Sequence, residues 1–238
     1  MTAHSKLKEI HFTFVIGIML ILMNGCGNSL QSTSTYTILA TIQLPPPQLT
    51  GNISLEATLA ERRSLRQYGE KPPGINEISQ LLWAAQGITG KNYPFRTAPS
   101  AGATYPLETY LMAGNVTGLE SGVYHYDIAS HSLKLIKRGD HRAALCNASV
   151  GQKHVKEAPI TIILTAIFQR TTNRYGSRGI KYTYMEAGHV GQNICLQAEA
   201  LDMGSVPVGA IDEDQIATIL GISRAETPLY IFPVGYKR

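Results

Sequence analysis

Charged side chains are scarce in this chain, 16% of 238 residues against 44% hydrophobic ones. That balance excludes a disordered or fibrous polypeptide and leaves material for the core of one domain, with length to spare. Cysteine is nearly as sparse. Cys26, Cys146 and Cys195 are too few and too far apart for a zinc site, and no Cys-x-x-Cys occurs. A bridge between Cys146 and Cys195 is not expected, because Cys195 falls in a helical pattern that suits a small apolar residue. His125, His131, His141, His154 and His189 lack metal-ligand spacing. No Gly-x-Gly-x-x-Gly follows a strand, and Gly87-Ile88-Thr89-Gly90-Lys91-Asn92 lacks the Walker spacing and its hydroxyl residue, which removes the two commonest phosphate loops. The net charge is only +4, with basic residues scattered except at Arg62 to Arg66, so a nucleic-acid surface is excluded as well.

No Lys or Arg occurs between Lys8 and Arg62. Lys6 and Lys8 precede an apolar run from Ile10 to Met23 that ends at Asn24-Gly25-Cys26, the parts of a secretory signal peptide over 1–25. Such a run makes a helix of roughly 21 Å, short of the ~30 Å hydrocarbon core, and the charge bias directs everything after Met23 out of the cytoplasm. Gly25-Cys26 resembles the lipidation site of a bacterial lipoprotein, although Met23 and Asn24 depart from the usual residues, and simple cleavage is the other reading. Residues 26–52, polar and uncharged up to Pro45-Pro46-Pro47, suit a tether. A diacylated Cys26 would hold an exported domain, residues 53–238, on a membrane.

From Ile53 onward helical and extended patterns alternate. Helices are expected where Leu55, Leu59 and the alanines near them mark one ending near Arg63, over Ile75–Gln86, over Tyr184–Leu201, and over Asp214–Leu220 between a capping Asp212 and a closing Gly221. Strands are expected over Glu108–Ala113, Gly122–Tyr126, Leu133–Ile136, Ile160–Phe168, Ser205–Ile211 and Leu229–Val234, with a turn at Asp127-Ile128-Ala129-Ser130. The sum is an α+β domain in which helices cover a sheet, with no repeat and no second domain.

Arg62-Arg63-Ser64-Leu65-Arg66 gathers three guanidiniums and a hydroxyl where the first helix gives way to irregular chain. Guanidinium forks match phosphate oxygens, and cations crowded this closely repel unless an anion lies between them, so the cluster points to a phosphorylated ligand. The plainer reading is complementation of the helix dipole.

Six segments in order resemble the flavin-dependent nitroreductases, most closely the thiazole- and oxazole-forming peptide oxidases of the SagB or ThcOx type. They are Arg62-Arg63-Ser64-Leu65-Arg66, Ala98 through Glu108, Gly122-Val123-Tyr124-His125-Tyr126-Asp127, Arg174-Tyr175-Gly176-Ser177-Arg178, Glu186 through Asn193, and Val206-Pro207-Val208-Gly209-Ala210. The resemblance implies a mainly antiparallel central sheet flanked by helices, FMN as cofactor, and a homodimer with the flavin at the subunit interface. By the same resemblance Arg62, Arg63 and Ser64 would hold the FMN phosphate and ribityl chain, and Arg66 would approach the pyrimidine edge, where a cation stabilises negative charge on a reduced flavin. Pro99, Ser100, Ala101 and Gly102 would run beside the ring, small enough for close backbone approach. Val208, Gly209 and Ala210 would cover one face and offer an N–H to N5, and Lys237 would add a late cation at the phosphate. Tyr175 would exchange a proton beside the flavin, with Arg174 or Arg178 orienting a small-molecule redox substrate. Ala187, Gly188 and Gly191 lie on neighbouring turns of the long helix, where each glycine costs about 1 kcal/mol relative to alanine, and helix crossing at a dimer interface or a tight contact within the chain would compensate.

The expected activity is two-electron hydride transfer by an FMN oxidoreductase; the alternative is an exported lipoprotein that binds flavin or a related nucleotide without turnover. Export stands in tension with NAD(P)H and peptide-modifying partners, which are cytoplasmic, and no twin-arginine pair precedes the apolar run. Either FMN is acquired outside and a quinone or other membrane redox partner serves, or the N-terminus is uncleaved and the topology differs.

Overall fold

The computed structural model describes residues 36–90, 93 and 95–238; the expected leader 1–25, Cys26 and the start of the tether at 26–35 lie outside them. Among the described residues, no helix is long and apolar enough to cross a membrane.

Among the described residues seven strands form one sheet: β1 (Ala40–Gln43), β2 (Leu107–Ala113), β3 (Gly122–Asp127), β4 (Ser132–Arg138), β5 (Ile160–Ala166), β6 (Met203–Ser205) and β7 (Thr227–Tyr236). Their order across the sheet is β1-β4-β3-β2-β5-β7-β6, antiparallel throughout, as expected. The period of two in a strand sorts side chains to opposite faces. Leu107, Leu111 and Ala113 of β2 join Ile160, Ile162 and Leu164 of β5 on one face, while Tyr110, Met112 and Ile163 point to the other.

The first face is covered by α2 (Ile75–Gln86) and α6 (Arg178–Ala200), which supply Ile78, Leu81, Leu82, Val190, Ile194 and Ala198. The second is covered by α3 (Arg142–Asn147), α4 (Lys153–Glu157) and α7 (Glu213–Leu220). Local signals set several boundaries. Glu77 accepts the Gly74 N–H at 2.9 Å at the start of α2, and the Gly87 N–H closes it on the Trp83 carbonyl at 2.7 Å. Asp212 caps α7 by accepting from the Gln215 N–H, and Gly221 ends it in the left-handed region at φ 69°. The first helix, α1 (Leu55–Glu61), begins where Ser54 accepts from the Ala57 N–H.

Some elements differ from expectation. The strand expected over Ser205–Ile211 is the three-residue β6, because Pro207 has no N–H to continue a ladder; beyond it Val208 alone pairs with Ile231. The long helix starts at Arg178 rather than Tyr184, and α5 (Gln169–Tyr175) precedes it, separated by Gly176 at φ 57°. Part of the polar stretch read as a tether is an edge strand, β1, in register with Ser132–Leu135 of β4. Cys146 and Cys195 are buried free thiols on opposite faces of the sheet, which separates them beyond bridging.

Candidate active site

The arginine segment begins at the end of α1, where Arg62 turns extended (φ −51°, ψ 122°). Extended backbone lets Ser64 bridge Ser205 beside β6, and the Leu65 N–H donates to the Ser205 carbonyl at 3.1 Å. The approach is close because position 204 is glycine: a Cβ there would lie 2.5 Å from Leu65 Cδ2. Arg63 complements the end of α1, its Nη1 donating to the Ala60 and Arg62 carbonyls at 3.0 and 2.8 Å. Arg62, Ser64 and Arg66 use no side-chain hydrogen bond or ion pair with any described residue. Next to them the Ser205 hydroxyl is buried without a partner, as is His154 Nε2 on α4. Burial pushes the Cys195 thiol up to about 11 against the pull of Arg62, and it lowers the His154 imidazole with help from Arg66, so the field of both arginines reaches into this corner. Unpaired cations and orphaned polar atoms together make a site for an oxygen-rich anion.

Lys237 lies beside the same segment, since the Gly69 N–H donates to the Tyr236 carbonyl at 2.8 Å. Its ammonium is already paired with the buried Glu199 of α6, which leaves it less available to a phosphate than the arginines. Val208 exchanges two backbone bonds with Ile231 (2.9 and 3.1 Å), presenting Gly209 and Ala210 at the surface just past the Ser205 crossing.

A second group gathers around Ser100. The chain makes a 3-10 turn at Ala101–Ala103, with Gly102, Ala103 and Tyr105 all left-handed (φ 60°, 54° and 46°). For Ala103 and Tyr105 this conformation costs roughly 1–3 kcal/mol each and persists only when neighbours over-determine it. Four contacts do so. Arg174 Nη1 donates to the Gly102 carbonyl at 2.9 Å, Arg170 Nη1 to the Tyr105 carbonyl at 3.0 Å, the Thr104 and Thr171 hydroxyls meet at 2.8 Å, and Ser100 Oγ accepts the Tyr105 N–H at 2.9 Å. Arg170 is itself fixed by Glu108 at 2.6 Å, and Glu108 also holds His125 at 2.9 Å. A Cβ on Gly102 would sit 2.5 Å from the Tyr175 hydroxyl, so Tyr175 lies directly over the loop. Arg178, the first residue of α6, is exposed and has no partner among the described residues.

The sites implied for Pro99–Gly102 and for Tyr175 therefore come together, and Val208–Ala210 follows three residues after Ser205, the residue that the Arg62–Arg66 segment crosses. Among the described residues no hydrogen bond, ion pair or ring contact joins the two groups. The helix α6 runs between them: Ser100 lowers the Glu186 carboxyl against its burial, Arg62 lowers the Cys195 thiol against its own, and nine residues at ~1.5 Å each set these points about 13.5 Å apart. A separate groove of about 590 Å³ between residues 48–53, α1, α2 and α6 has Thr97, with its partnerless buried hydroxyl, in its lining but none of the cations, so it is not the candidate site for an anion.

Ser205, His154, Arg170 and Glu186 were not picked out in the sequence. Glu186 had a signal: it falls on the stripe of Thr183, Val190 and Ile194 at helical spacing, where an acid is out of place. The others had none, because an orphaned hydroxyl or an ion pair is a property of the neighbours.

The sequence profile of the nitroreductase family matches residues 59–236, and the chain belongs to that family. MJ1384 of Methanocaldococcus jannaschii, whose name assigns it to the nitroreductases, is 44% identical over 82% of this chain and 96% of its own length. The microcin B17-processing protein McbC of Escherichia coli is 25% identical over 66% of this chain and 60% of its own, in keeping with the SagB-type branch. The crystal structure of a nitroreductase-type protein from Ralstonia eutropha superposes with a TM-score of 0.74 at 27% identity, covering 83% of this chain and 90% of that one. The chain is thus a nitroreductase-family oxidoreductase with the α+β fold of its relatives.

Proposed function

We propose that this oxidoreductase uses FMN, that the arginine group takes the phosphate while the Ser100–Gly102 loop lies beside the ring, and that two copies complete the site between them. The observation that carries this reading is a pair of guanidiniums, Arg62 and Arg66, with no side-chain partner among the described residues, set against the Ser205 hydroxyl, which likewise has none. When bound, FMN would supply two-electron hydride chemistry through N5. The protein's part is position and charge. Arg62, Ser64 and Ser205 bind the anionic tail, Arg66 balances negative charge, and Gly209 gives its backbone N–H unhindered access because no Cβ covers it. Gly102 and Tyr175 shape the ring-side wall, where the Tyr175 hydroxyl holds a proton close to the loop, and Arg178 orients a polar substrate.

One chain offers the tail-binding and ring-binding residues about two and a half turns apart along α6, a span one extended cofactor can bridge. The outer surface of that helix supports the dimeric form of the site. Ile180, Tyr184 and Met185 are exposed, and nothing lies within 4 Å of a Cβ built on Gly188. The N-terminal reading belongs to the same proposal as a location, with Cys26 as a lipid anchor; intact mass spectrometry of the mature protein is expected to show a diacylglycerol adduct there.

The deciding experiment is titration of the purified domain with FMN, followed by anaerobic reduction and re-oxidation with quinones or nitroaromatics. A visible flavin spectrum that bleaches and returns is the expected result. A stable yellow protein that no acceptor re-oxidises would mean binding without turnover, and a colourless protein after soaking would overturn the flavin reading altogether.

A further inference from the structure

Of the six segments that carry the family resemblance, Gly122–Asp127 takes no part in the site described above. It forms β3, and His125 stands directly opposite Tyr110 in the ladder, on the same face of the sheet as Glu108 two residues before Tyr110. The imidazole is held between two rings, with centroids 4.9 Å from Tyr110 and 6.0 Å from Tyr36, and its Nε2 lies 2.9 Å from Glu108 Oε2. A carboxylate only accepts, so Nε2 carries the hydrogen. The other carboxylate oxygen, Oε1, meets Arg170 Nη2 at 2.6 Å, and Nη1 of the same guanidinium donates to the Tyr105 carbonyl at 3.0 Å. Side-chain exposures of 18% for His125, 12% for Glu108 and 20% for Arg170 leave water little opportunity to replace any of these bonds. The far end of this series is strained. Tyr105 is a bulky residue in the left-handed region at φ 46°, a conformation that persists only where neighbours impose it. Two ties do so at its own peptide groups, the Ser100 hydroxyl at the N–H and Arg170 at the carbonyl. The terminal bond of a glutamate turns easily, and the Nε2 hydrogen of His125 selects the setting in which Oε1 meets Arg170.

We propose that His125 is a positioning residue for the candidate site: through Glu108 and Arg170 it fixes the Tyr105 carbonyl and with it the strained end of the Ser100–Tyr105 loop. The bearing on flavin binding rests on the function proposed above; the effect on the loop does not. The role belongs to the Nε2 hydrogen bond, while packing of the ring against Tyr36 and Tyr110 contributes separately to the fold. Substitution separates the two. His125→Phe keeps an aromatic ring between Tyr36 and Tyr110 and removes the hydrogen bond, whereas His125→Gln removes the ring and keeps a side-chain N–H directed at Glu108.

The test is hydrogen exchange by mass spectrometry on the full, ligand-free chain, with β5 as an internal reference. It is read on peptides covering 101–105, where the Ala103, Thr104 and Tyr105 amides are hydrogen-bonded within the loop. In His125→Phe these amides are expected to exchange about 3- to 10-fold faster than in the wild type, a part of the roughly 10- to 100-fold that one hydrogen bond to a charged group is worth. In His125→Gln they should keep the wild-type rate. Loop amides unchanged in His125→Phe, or as fast in His125→Gln as in His125→Phe, overturn the proposal. Should His125→Phe not fold, His125→Met, unbranched and without a donor, takes its place in the same comparison. Arg170→Met tests the route: it should open the loop further, and His125→Phe added to it should open the loop no more, because the tie it works through is already gone. A double variant in which the two effects multiply in full overturns the route through Arg170; if Arg170→Met does not fold, the Phe and Gln variants decide alone. FMN fluorescence titrations form a second arm, in which affinity is expected to fall in His125→Phe and to hold in His125→Gln. Equal affinities beside an opened loop would overturn the positioning role at the site. If no protein, wild type included, binds FMN, the flavin reading fails while the exchange data still decide what His125 does to the loop.

Discussion

Arg62 and Arg66 differ from Arg63, Arg174 and Lys237 in what surrounds them. Arg63 is occupied by helix carbonyls, Lys237 by Glu199 and Arg174 by Gly102, whereas Arg62 and Arg66 stand beside a buried hydroxyl that also lacks a partner. Replacing either by alanine is expected to weaken FMN binding by roughly 10- to 100-fold, since a hydrogen bond to a charged group contributes about 1.5–3 kcal/mol. Lys237→Ala should have the smaller effect on affinity, because its charge is balanced within the chain; fluorescence titration of the three variants side by side checks the order. The arginine cluster was legible in the sequence as a crowd of like charges at a helix end. What its local sequence left open was which member answers the helix and which the ligand, since that depends on the carbonyls and on Ser205, brought alongside from far down the chain.

Helix α5 shows how one short element governs the ring-side loop. Arg170 pairs with Glu108 and donates to the Tyr105 carbonyl, so its removal leaves a buried carboxylate with His125 as its one remaining partner among the described residues. Arg170→Met is expected to cost about 3–5 kcal/mol at neutral pH, read from denaturant unfolding. Burial alone would raise Glu108, but His125 and Arg170 more than offset it and hold the carboxyl below its ordinary value. A depressed carboxylate contributes stability above its unfolded value and loses it as pH falls, so the difference between wild type and Arg170→Met should shrink below the ordinary carboxylate range. In α6 the two glycines behave differently. A Cβ at Gly191 would meet Phe232 Cζ at 2.6 Å, so Gly191→Val should destabilise the fold by ~1–3 kcal/mol through overpacking. Tight packing within the chain accounts for Gly191. Gly188 has open space around it and needs another explanation.

On the scale of the whole molecule, the proposed dimer would supply that explanation. If α6 crosses its counterpart at Gly188, Gly188→Leu is expected to shift sedimentation from dimer to monomer and to weaken FMN binding in the same preparation, because the proposed site is completed between two copies. Gly188→Leu protein that remains dimeric with unchanged affinity would place the interface elsewhere. The antiparallel order β1-β4-β3-β2-β5-β7-β6 keeps β2 and β5 buried on both faces at the centre, and the site groups lie at its periphery. This arrangement leaves the core intact when the periphery changes.

Sequence alone determined those elements whose boundary signals are local. The α2 helix runs over Ile75–Gln86 as its apolar spacing indicates, and α7 sits between Asp212 and Gly221, because caps and periodicity act over a few residues. Only the tertiary structure decided the rest. The α3, α4 and α5 helices, of five to seven residues, are too short to be stable by propensity and exist through packing. The pairing of Ser64 with Ser205, the isolation of the Ser205 hydroxyl and the displaced proton of Glu186 are likewise set by distant parts of the chain. Burial and field arise from what surrounds a group, and only folding brings that about.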